Sequence, residues 1–388
     1  MDLLVFSHLR WDFVYQRPQH LLSRFATAQR VFFWEEPEFR DNAIPSLKIS
    51  PREDFLTVVV PELPTGGSEQ QTWALQQELL AGFREDQAIE DYICWYYTPM
   101  ARNFTRNLKP AAVVYDCMDE LSAFRGAPPG LTRAEEELFS LADLVFTGGQ
   151  SLYESKRSRH PSVHLFPSSI DAKHFAEARQ PQDDPVDQSS IPHPRLGYCG
   201  VIDERMDLEL LAAMADSRPD WQFIMVGPVV KITDADLPKR ANIHYLGSKQ
   251  YSDLPNYLSG WEVALLPFAR NESTRFISPT KTPEYLAAGR PVISTAITDV
   301  VRPYGDLGLV SICNTAAQFI DAVEQSLFRD LSKEEERLRQ VDAFLARSSW
   351  DRTFSDMRRL IMKVATDKDA ARSVGAAEQL TGNTAAAD

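Results

Sequence analysis

The sequence has few cysteines and no long apolar run. Its 388 residues include only Cys94, Cys117, Cys199 and Cys313, which show neither a CxxC pair nor a zinc-ligand spacing. Their separation predicts free thiols in a reducing compartment rather than a disulfide framework. No stretch of about 18 apolar residues occurs, which argues against a membrane-spanning helix. The sequence therefore predicts a cytoplasmic protein.

Positive charge is scarce as well. The chain has 41 Lys and Arg against 55 Asp and Glu, a formal net charge of −14. This balance disfavours a protein that coats nucleic acid or an anionic lipid surface electrostatically. We therefore predict no nucleic-acid partner, while a small basic face still allows peripheral contact with the inner face of a membrane.

Short apolar runs rich in Val, Ile, Phe and Tyr alternate with helical patterns, which predicts an α/β fold with mostly parallel sheets. The length suits roughly two to three domains. The runs form two series, at residues 2–7, 30–35, 92–97, 112–117 and 144–149, and then at 195–200, 221–227, 243–247, 263–268, 291–295 and 309–313.

The polar segment 177–195 holds four prolines between the two series, which predicts a linker. We accordingly place one domain at residues 1–176 and a second at 196–345. A helix is predicted at 346–365, crossing back to the first domain. The small, polar residues of 366–388 predict a flexible tail.

The segment 270–295 carries the clearest chemical pattern. Thr282 predicts an N-cap, Pro283 the first helical position and Gly289 the end of a short helix. Backbone N–H groups at a helix start attract phosphate, and Lys281 adds a positive charge. Glu284 is suited to accept hydrogen bonds from ribose hydroxyls. The spacing fits a nucleoside diphosphate site, although a helix start with a solvated lysine explains it equally well.

Several stretches resemble family 4 glycosyltransferases. SPTK at 278–281, followed by EYLAAGRPVIST, is similar to the family's nucleotide-sugar segment. FPSSIDAKHF at 166–175 resembles its domain-junction motif, and residues 242–268 its stretch before the donor loop. The opening SHLRWDFVYQRPQHLLSRFA resembles the teichuronic-acid and exopolysaccharide subgroup. The resemblance implies the GT-B fold, with two facing Rossmann-like domains, parallel sheets and an interdomain cleft.

The same resemblance implies a hexosyltransferase that moves a sugar from a UDP- or GDP-type nucleotide sugar to a glycan or lipid-linked acceptor, with retention. No metal ion or other cofactor is expected, and Asp234-Ala235-Asp236 is a DxD sequence outside the context in which that motif binds metal. The residues expected to bind the nucleotide sugar are Gly200, Asp203, Arg275, Ser278, Thr280, Lys281 and Glu284.

The turn within residues 198–211 opens the second domain. In the family an arginine near this turn neutralises the donor diphosphate, and Arg205 is the candidate here. A guanidinium can bind phosphate oxygens bidentately, so Arg205 and Lys281 are predicted to act catalytically on the departing nucleotide. The alternative is that Arg205 merely pairs with Asp203 or Glu204.

The loop at 7–16 is longer than most strand-to-helix connections, which favours a binding role. Asp116 and Asp119 follow a predicted strand, where a carboxylate can bind or deprotonate an acceptor hydroxyl. Asp119 could equally cap the next helix, and Trp11 could simply pack. The residues predicted for the acceptor side are His8 and Asp119 as catalytic groups, with Arg10, Trp11, Asp12, Arg17 and Asp116.

One departure from the family keeps other functions open. Phe276 stands where the first of two glutamates is expected, which puts contacts to the donor sugar in doubt. A nucleotide-sugar epimerase or phosphorylase on the same fold is one alternative. A non-catalytic partner in a glycan-assembly complex is another.

Overall fold

A computed structural model describes residues 1–384, in which two β-sheets each form the centre of an α/β unit. The first sheet of this described part contains β1 (Asp2–Phe6), β2 (Val31–Trp34), β3 (Glu38–Arg40), β4 (Ser46–Glu53), β5 (Leu56–Pro64), β6 (Tyr92–Tyr96), β7 (Ala112–Cys117), β8 (Leu144–Thr147) and β9 (Val163–Leu165). Their spatial order is β3-β5-β2-β1-β6-β7-β8-β9, and β4 pairs antiparallel with β5.

The second sheet is parallel throughout its described strands. It contains β10 (Arg195–Cys199), β11 (Gln222–Val226), β12 (Ile243–Gly247), β13 (Val263–Leu266), β14 (Val292–Ser294) and β15 (Ser311–Ile312). The order is β12-β11-β10-β13-β14-β15. Each of the eleven strands predicted from the sequence is confirmed within about two residues at its ends.

Helices connect these strands and cover the sheet faces. They are α1 (Arg17–Phe25), α2 (Glu69–Asp86), α3 (Arg102–Thr105), α4 (Leu131–Leu141), α5 (Gln150–Lys156), α6 (Ala172–Ala176), α7 (Val186–Ser189), α8 (Leu208–Ser217), α9 (Leu254–Ser259), α10 (Lys281–Ala287), α11 (Thr298–Val300), α12 (Ala316–Leu327), α13 (Glu334–Leu345) and α14 (Trp350–Thr384). Parallel strands need such crossovers, and burial on both faces explains their continuous apolar sequences.

The chain crosses between the two units twice. α14 returns to the first unit, where Trp350, Met357 and Ile361 join its buried core. The two crossings touch, because the Ser169 hydroxyl lies 2.6 Å from that of Thr353 and Ser348 donates to Ser169 at 3.1 Å. The crossing helix expected from the sequence is therefore present.

The segment expected as a linker is more ordered than its composition suggested. Ala178 and Ile191 are buried in the core of the second unit, as is Phe175 just before them. Arg195 is buried, pairs with Asp184 at 2.6 Å and donates to the Ile191 carbonyl. Side-chain hydrogen bonds thus supply the order that the composition lacks.

The expected flexible tail also differs from the structure. α14 continues through residues 366–384, because this stretch is rich in alanine and lacks proline, both favourable to helix. Residues 385–388 lie outside the described residues.

Candidate functional site

Two adjoining cavities of about 150 and 650 Å³ lie between the units, and they share lining residues such as Gly200 and Lys281. Their walls come from residues just after β1, β7, β10, β11 and β12, so the carboxyl ends of both sheets meet there. Ligands bind at this edge in open α/β sheets. Gly227 sustains the close approach of β11 to β10, since a Cβ there would overlap the Gly200 carbonyl oxygen.

The segment after β13 enters this cleft, and Ser278, Thr280 and Lys281 line it. α10 begins at Lys281 with Thr280 at the N-cap, so the predicted N-cap at Thr282 is wrong. The reason is that the Thr282 N–H donates to Pro279, which starts the turn earlier. Pro283 is tolerated at the third helical position because the first turn lacks i−4 acceptors. Gly289, at φ +76°, ends the helix as predicted.

Lys281 and Glu284 form an ion pair of 2.8 Å on the first turn of α10, and both side chains are largely buried. Burial lowers the pKa of Lys281, but attraction by Glu284 and Cys199 and the hydrogen bond to Glu284 together outweigh burial and leave that pKa raised. Burial also raises the pKa of Glu284, more than Lys281 lowers it. The lysine is therefore held charged at the cleft, with its carboxylate partner behind it.

Arg205 reaches the same cavity from the turn after β10. Its Nη2 donates to Asp203 at 2.7 Å and its Nε to the other carboxylate oxygen at 3.0 Å. The pairing foreseen as the alternative is therefore present, yet the guanidinium still lines the cleft. Burial lowers its pKa, but the hydrogen bonds and attraction of Asp203, together with attraction by Asp119, outweigh burial and leave that pKa raised, so Arg205 stays charged. Asp203 is buried, and its carboxylate orients Arg205.

Asp119 faces these cations from the first unit and lines the same cavity as Arg205. Burial raises the pKa of Asp119 and attraction by Arg205 opposes that rise without cancelling it. No hydrogen bond from its carboxylate to a helix N–H is found in the described chain, so the capping alternative has no support there. Asp119 is thus a carboxylate available to a ligand.

Arg17 and Asp116 form a different arrangement from the predicted one. Arg17 grips Asp116 bidentately, with Nη2–Oδ1 at 2.9 Å and Nε–Oδ2 at 3.0 Å, and its Nη1 donates to the Phe166 carbonyl at 2.7 Å. Both side chains are almost fully buried. Asp116 has both oxygens occupied and does not line the cavity, whereas Arg17 does, so the contact of either residue with the acceptor stays a prediction.

Only some residues of the loop 7–16 line the cleft. Trp11 and Asp12 line the larger cavity, although Trp11 also packs on Phe33 and Asp12 pairs with Arg52. Arg10 pairs with Glu35 at 2.9 Å and lines neither interdomain cavity, so its contact with the acceptor stays a prediction. These ion pairs give Arg10 and Asp12 partners that the sequence could not identify.

His8 lies in a further cavity of the first unit, of about 270 Å³. Burial lowers the pKa of His8 to about 4, so the ring is neutral at pH 7. Its Nδ1 is buried and has no partner among the described residues.

Two residues of the donor segment do not face the cleft. Arg275 is exposed, lies 3.7 Å from Glu272 and lines neither cavity, so its contact with the nucleotide sugar stays a prediction. Phe276 packs against the core of the first unit. The residue that replaces the expected glutamate therefore joins the two units.

Some lining residues were missed by the sequence analysis. Pro228 follows β11, and Ser248, Lys249 and Gln250 follow β12. Tyr251 completes this wall and packs on Tyr15 across the units, with ring centres 4.7 Å apart. Their position directly after predicted strands could have identified them, because ligands bind at the carboxyl ends of parallel strands.

The described residues contain no group of three or more His, Cys, Asp or Glu side chains placed to hold a metal ion. In the DxD sequence, Asp234 pairs with Lys239 and Asp236 accepts from Thr233. No helix in the described part of the chain is both long and apolar enough to cross a membrane.

Comparison with known proteins identifies relatives of this arrangement. Residues 193–328 match the protein family described as Glycosyl transferases group 1. A curated relative is the putative teichuronic acid biosynthesis glycosyltransferase TuaH of Bacillus subtilis (strain 168), 24% identical over 213 residues. That match covers 50% of this chain and 53% of the relative, about half the length of each.

Solved structures extend the likeness to nearly the whole chain. One, described as trehalose-6-phosphate from E. coli bound with UDP-2-fluoro glucose, gives a TM-score of 0.68 at 13% identity and covers 94% of this chain and 99% of that one. Sucrose-phosphate synthase from Thermosynechococcus elongatus gives 0.69 at 14% identity, covering 95% and 100%. An α,α-trehalose-phosphate synthase from Burkholderia xenovorans in complex with glucose-6-phosphate gives 0.68 at 12% identity, covering 93% and 100%. The fold is GT-B, as the sequence resemblance implied.

Proposed function

We propose that this chain, whose second unit matches the family of group 1 glycosyl transferases, moves a sugar from a nucleotide diphosphate sugar of the UDP or GDP type to a hydroxyl group. The acceptor in this proposal is a polysaccharide or a lipid-linked glycan. The observation that carries it is that Arg205 and Lys281 line one interdomain cavity opposite Asp119. Two fixed cations beside a carboxylate suit a diphosphate and an approaching hydroxyl.

The donor lies on the second unit in this proposal. Its diphosphate meets Lys281 and Arg205, while the nucleoside occupies the larger cavity beside Tyr251. Both cations are already held by buried carboxylates, Glu284 and Asp203, so they need little reorganisation when charge develops on the departing diphosphate. Such preorganised charge is the main source of rate enhancement in many enzymes. The UDP compound bound to the E. coli relative supports a UDP-type donor.

The acceptor hydroxyl approaches from the first unit, and Asp119 accepts its hydrogen bond. The bond between the anomeric carbon and the diphosphate oxygen breaks, and a bond from that carbon to the acceptor oxygen forms. In the retaining reaction that we propose, the hydroxyl proton passes to the departing diphosphate oxygen on the same face. No metal ion or other cofactor takes part. Closure of the cleft excludes water that would hydrolyse the donor.

A cytoplasmic location, with contact at the inner face of a membrane where lipid-linked acceptors lie, belongs to the same proposal. The four cysteines support it, because all are buried free thiols, as expected in a reducing compartment.

Calorimetric titration with UDP and GDP tests the proposal. We expect one diphosphate to bind, and Arg205→Ala and Lys281→Ala each to weaken binding by about tenfold or more, since each removes a charge-assisted contact. Arg339→Ala, at an exposed arginine of α13, is the matched control and should bind as the wild type does. Undiminished binding by both cleft variants would refute the proposed site.

Turnover separates the alternatives. A glycosyltransferase releases nucleotide from its donor at a rate that rises with added acceptor. An epimerase changes the donor sugar without any acceptor, and a phosphorylase requires phosphate. A non-catalytic partner, the possibility raised by Phe276, binds neither diphosphate.

A further inference from the structure

The first unit contains an apolar cavity of about 290 Å³ that no step above uses. It lies beside the carboxyl ends of β1 and β2, between α2 and the residues after β6. Trp34, Trp73, Phe104 and Met100 are among its lining residues, and Phe39 also lines it, with 52% of its surface exposed. Its volume is near the lower end for small-molecule pockets, about 300 Å³.

This cavity continues into the one that contains His8, because Glu36, Thr98, Met100 and Pro128 line both. The second cavity reaches the catalytic cleft through Phe124. The ring of Phe124 lies 5.6 Å from the Arg205 guanidinium carbon and 5.0 Å from Lys231 Nζ. The aromatic cavity and the His8 cavity are therefore continuous, and they adjoin the proposed diphosphate site where Phe124 packs on Arg205.

Two buried polar atoms along these two cavities lack a partner among the described residues. They are Nδ1 of His8 and the indole Nε1 of Trp34. The His8 ring is neutral at pH 7, and its unpartnered Nδ1 suits a hydroxyl group. Buried polar atoms without partners are uncommon in native proteins, so these two positions suit polar contacts with a ligand in the cavity.

We propose that the acceptor carries its reactive hydroxyl next to an apolar group, and that this group occupies the cavity formed by Trp34, Trp73 and Phe39. This inference rests on the proposed function and adds the class of acceptor. A ring or a short section of an alkyl or prenyl chain fits the cavity, whereas a phosphorylated sugar does not. Glu36 lies at the junction of the two cavities, where its carboxylate repels an anion but accepts hydrogen bonds from sugar hydroxyls.

Binding of simple glucosides tests the assignment, because the apolar group rather than the sugar is varied. Methyl, phenyl and octyl β-glucoside and glucose 6-phosphate are titrated into the full chain by calorimetry, with the octyl compound below its micelle-forming concentration. We expect the phenyl or octyl glucoside to bind at least about tenfold more tightly than the methyl glucoside. Preference for phenyl indicates a ring as the natural group, and preference for octyl indicates a chain.

Variants locate the binding. Phe39→Asp puts a charge in the lining of the cavity. It should reduce the preference for the phenyl or octyl glucoside over the methyl glucoside to about twofold or less. Phe55→Asp is the matched control, since Phe55 is 51% exposed on the same sheet but does not line the cavity. Thr72→Phe, which fills the cavity from α2 without adding charge, should have the same effect as Phe39→Asp.

Equal binding of all glucosides, tighter binding of glucose 6-phosphate, or an apolar preference that both cavity variants retain would each overturn the inference. Binding of UDP and GDP is measured on the same samples. If the wild type binds neither diphosphate, the result counts against the proposed function alone, whereas intact diphosphate binding without an apolar preference counts against this inference alone.

Discussion

Oδ1 of Asp299 accepts a hydrogen bond of 2.9 Å from the backbone N–H of Ser151, and these two residues belong to different units. Ser151 lies in the first turn of α5, so a carboxylate of the second unit caps a helix of the first. Burial raises the pKa of Asp299, and its hydrogen bonds lower it by less. The contact therefore holds the units together near the donor segment.

Replacement of this carboxylate should loosen the closed arrangement. Asp299→Ala removes the cap and should weaken the contact between the units by about 1–2 kcal/mol, whereas Asp299→Asn keeps an acceptor oxygen and should preserve it. The measurement is the radius of gyration by small-angle scattering, expected to rise only in the alanine variant. Asp306→Ala, at an exposed position nearby, is the control. An unchanged radius in Asp299→Ala would show that the cap does not hold the units together.

The pKa shift of Asp299 also sets the sign of a pH effect. Its folded-state pKa is raised above the unfolded value, so the folded state binds more protons in that interval. Its contribution to stability is thus fully present at low pH and declines as the pH rises through the folded pKa. Asp299→Asn should remove this dependence from the free energy of unfolding, measured in urea from pH 4 upward. Retention of the full pH slope by the variant contradicts the assignment.

Gly149 lies where the units are closest. A Cβ at this position would stand 2.7 Å from Cβ of Ser278 and would overlap the Asp299 carboxylate. Gly149→Ala should therefore separate the donor segment from the first unit and lower nucleotide release by roughly tenfold or more, because misplaced groups lose catalytic geometry. Gly82→Ala is the matched control: Gly82 has open space around it within α2, and alanine there should add about 0.5–1 kcal/mol of stability. Equal activity of the two variants would contradict the close approach.

The raised pKa of Asp119 predicts how the activity changes at acid pH. Because burial raises its pKa, the carboxylate becomes protonated at a higher pH than an ordinary aspartate, and kcat/KM should fall as the pH drops through that value. Asp119→Asn should lower activity and remove this step, measured as nucleotide release across pH. Glu284 has a raised pKa as well, so Glu284→Gln serves as the comparison that assigns the step to one carboxylate. A profile that Asp119→Asn leaves intact argues against its contact with the acceptor.

The pair of Arg17 and Asp116 should matter for stability rather than for acceptor binding. Removal of one partner from a buried ion pair leaves an uncompensated charge, so Asp116→Asn or Arg17→Met should lower the free energy of unfolding by about 3–5 kcal/mol. The comparison is Asp12→Asn, which breaks an exposed pair with Arg52 and should cost about 1 kcal/mol or less. Urea unfolding measures both. A loss from the buried variants no larger than that of Asp12→Asn would contradict this role.

The sequence predicted those features that local pattern determines. Period and composition located eleven strands, and the proline and glycine around α10 located the donor segment. It did not predict β3, β4, β5 or β9 as strands. The side chains of β4 are mostly polar and exposed, and β3 and β9 have only three residues each, whereas the apolar run of β5 was overlooked. The ion-pair partners of Arg10 and Arg17 could not be predicted from the sequence either, since Asp116 lies 99 residues from Arg17 along the chain. Which charges face a cleft depends on such distant pairs.

The contact between Ser169 and Thr353 has a consequence for motion. Both covalent connections between the units run side by side at this point. We therefore expect the units to bend about this point but not to rotate freely relative to each other. Opening then widens the gap between Asp119 and Arg205 without sliding one sideways across the other. After each round of substrate entry and product exit, we therefore expect the two units to close again in the same relative orientation.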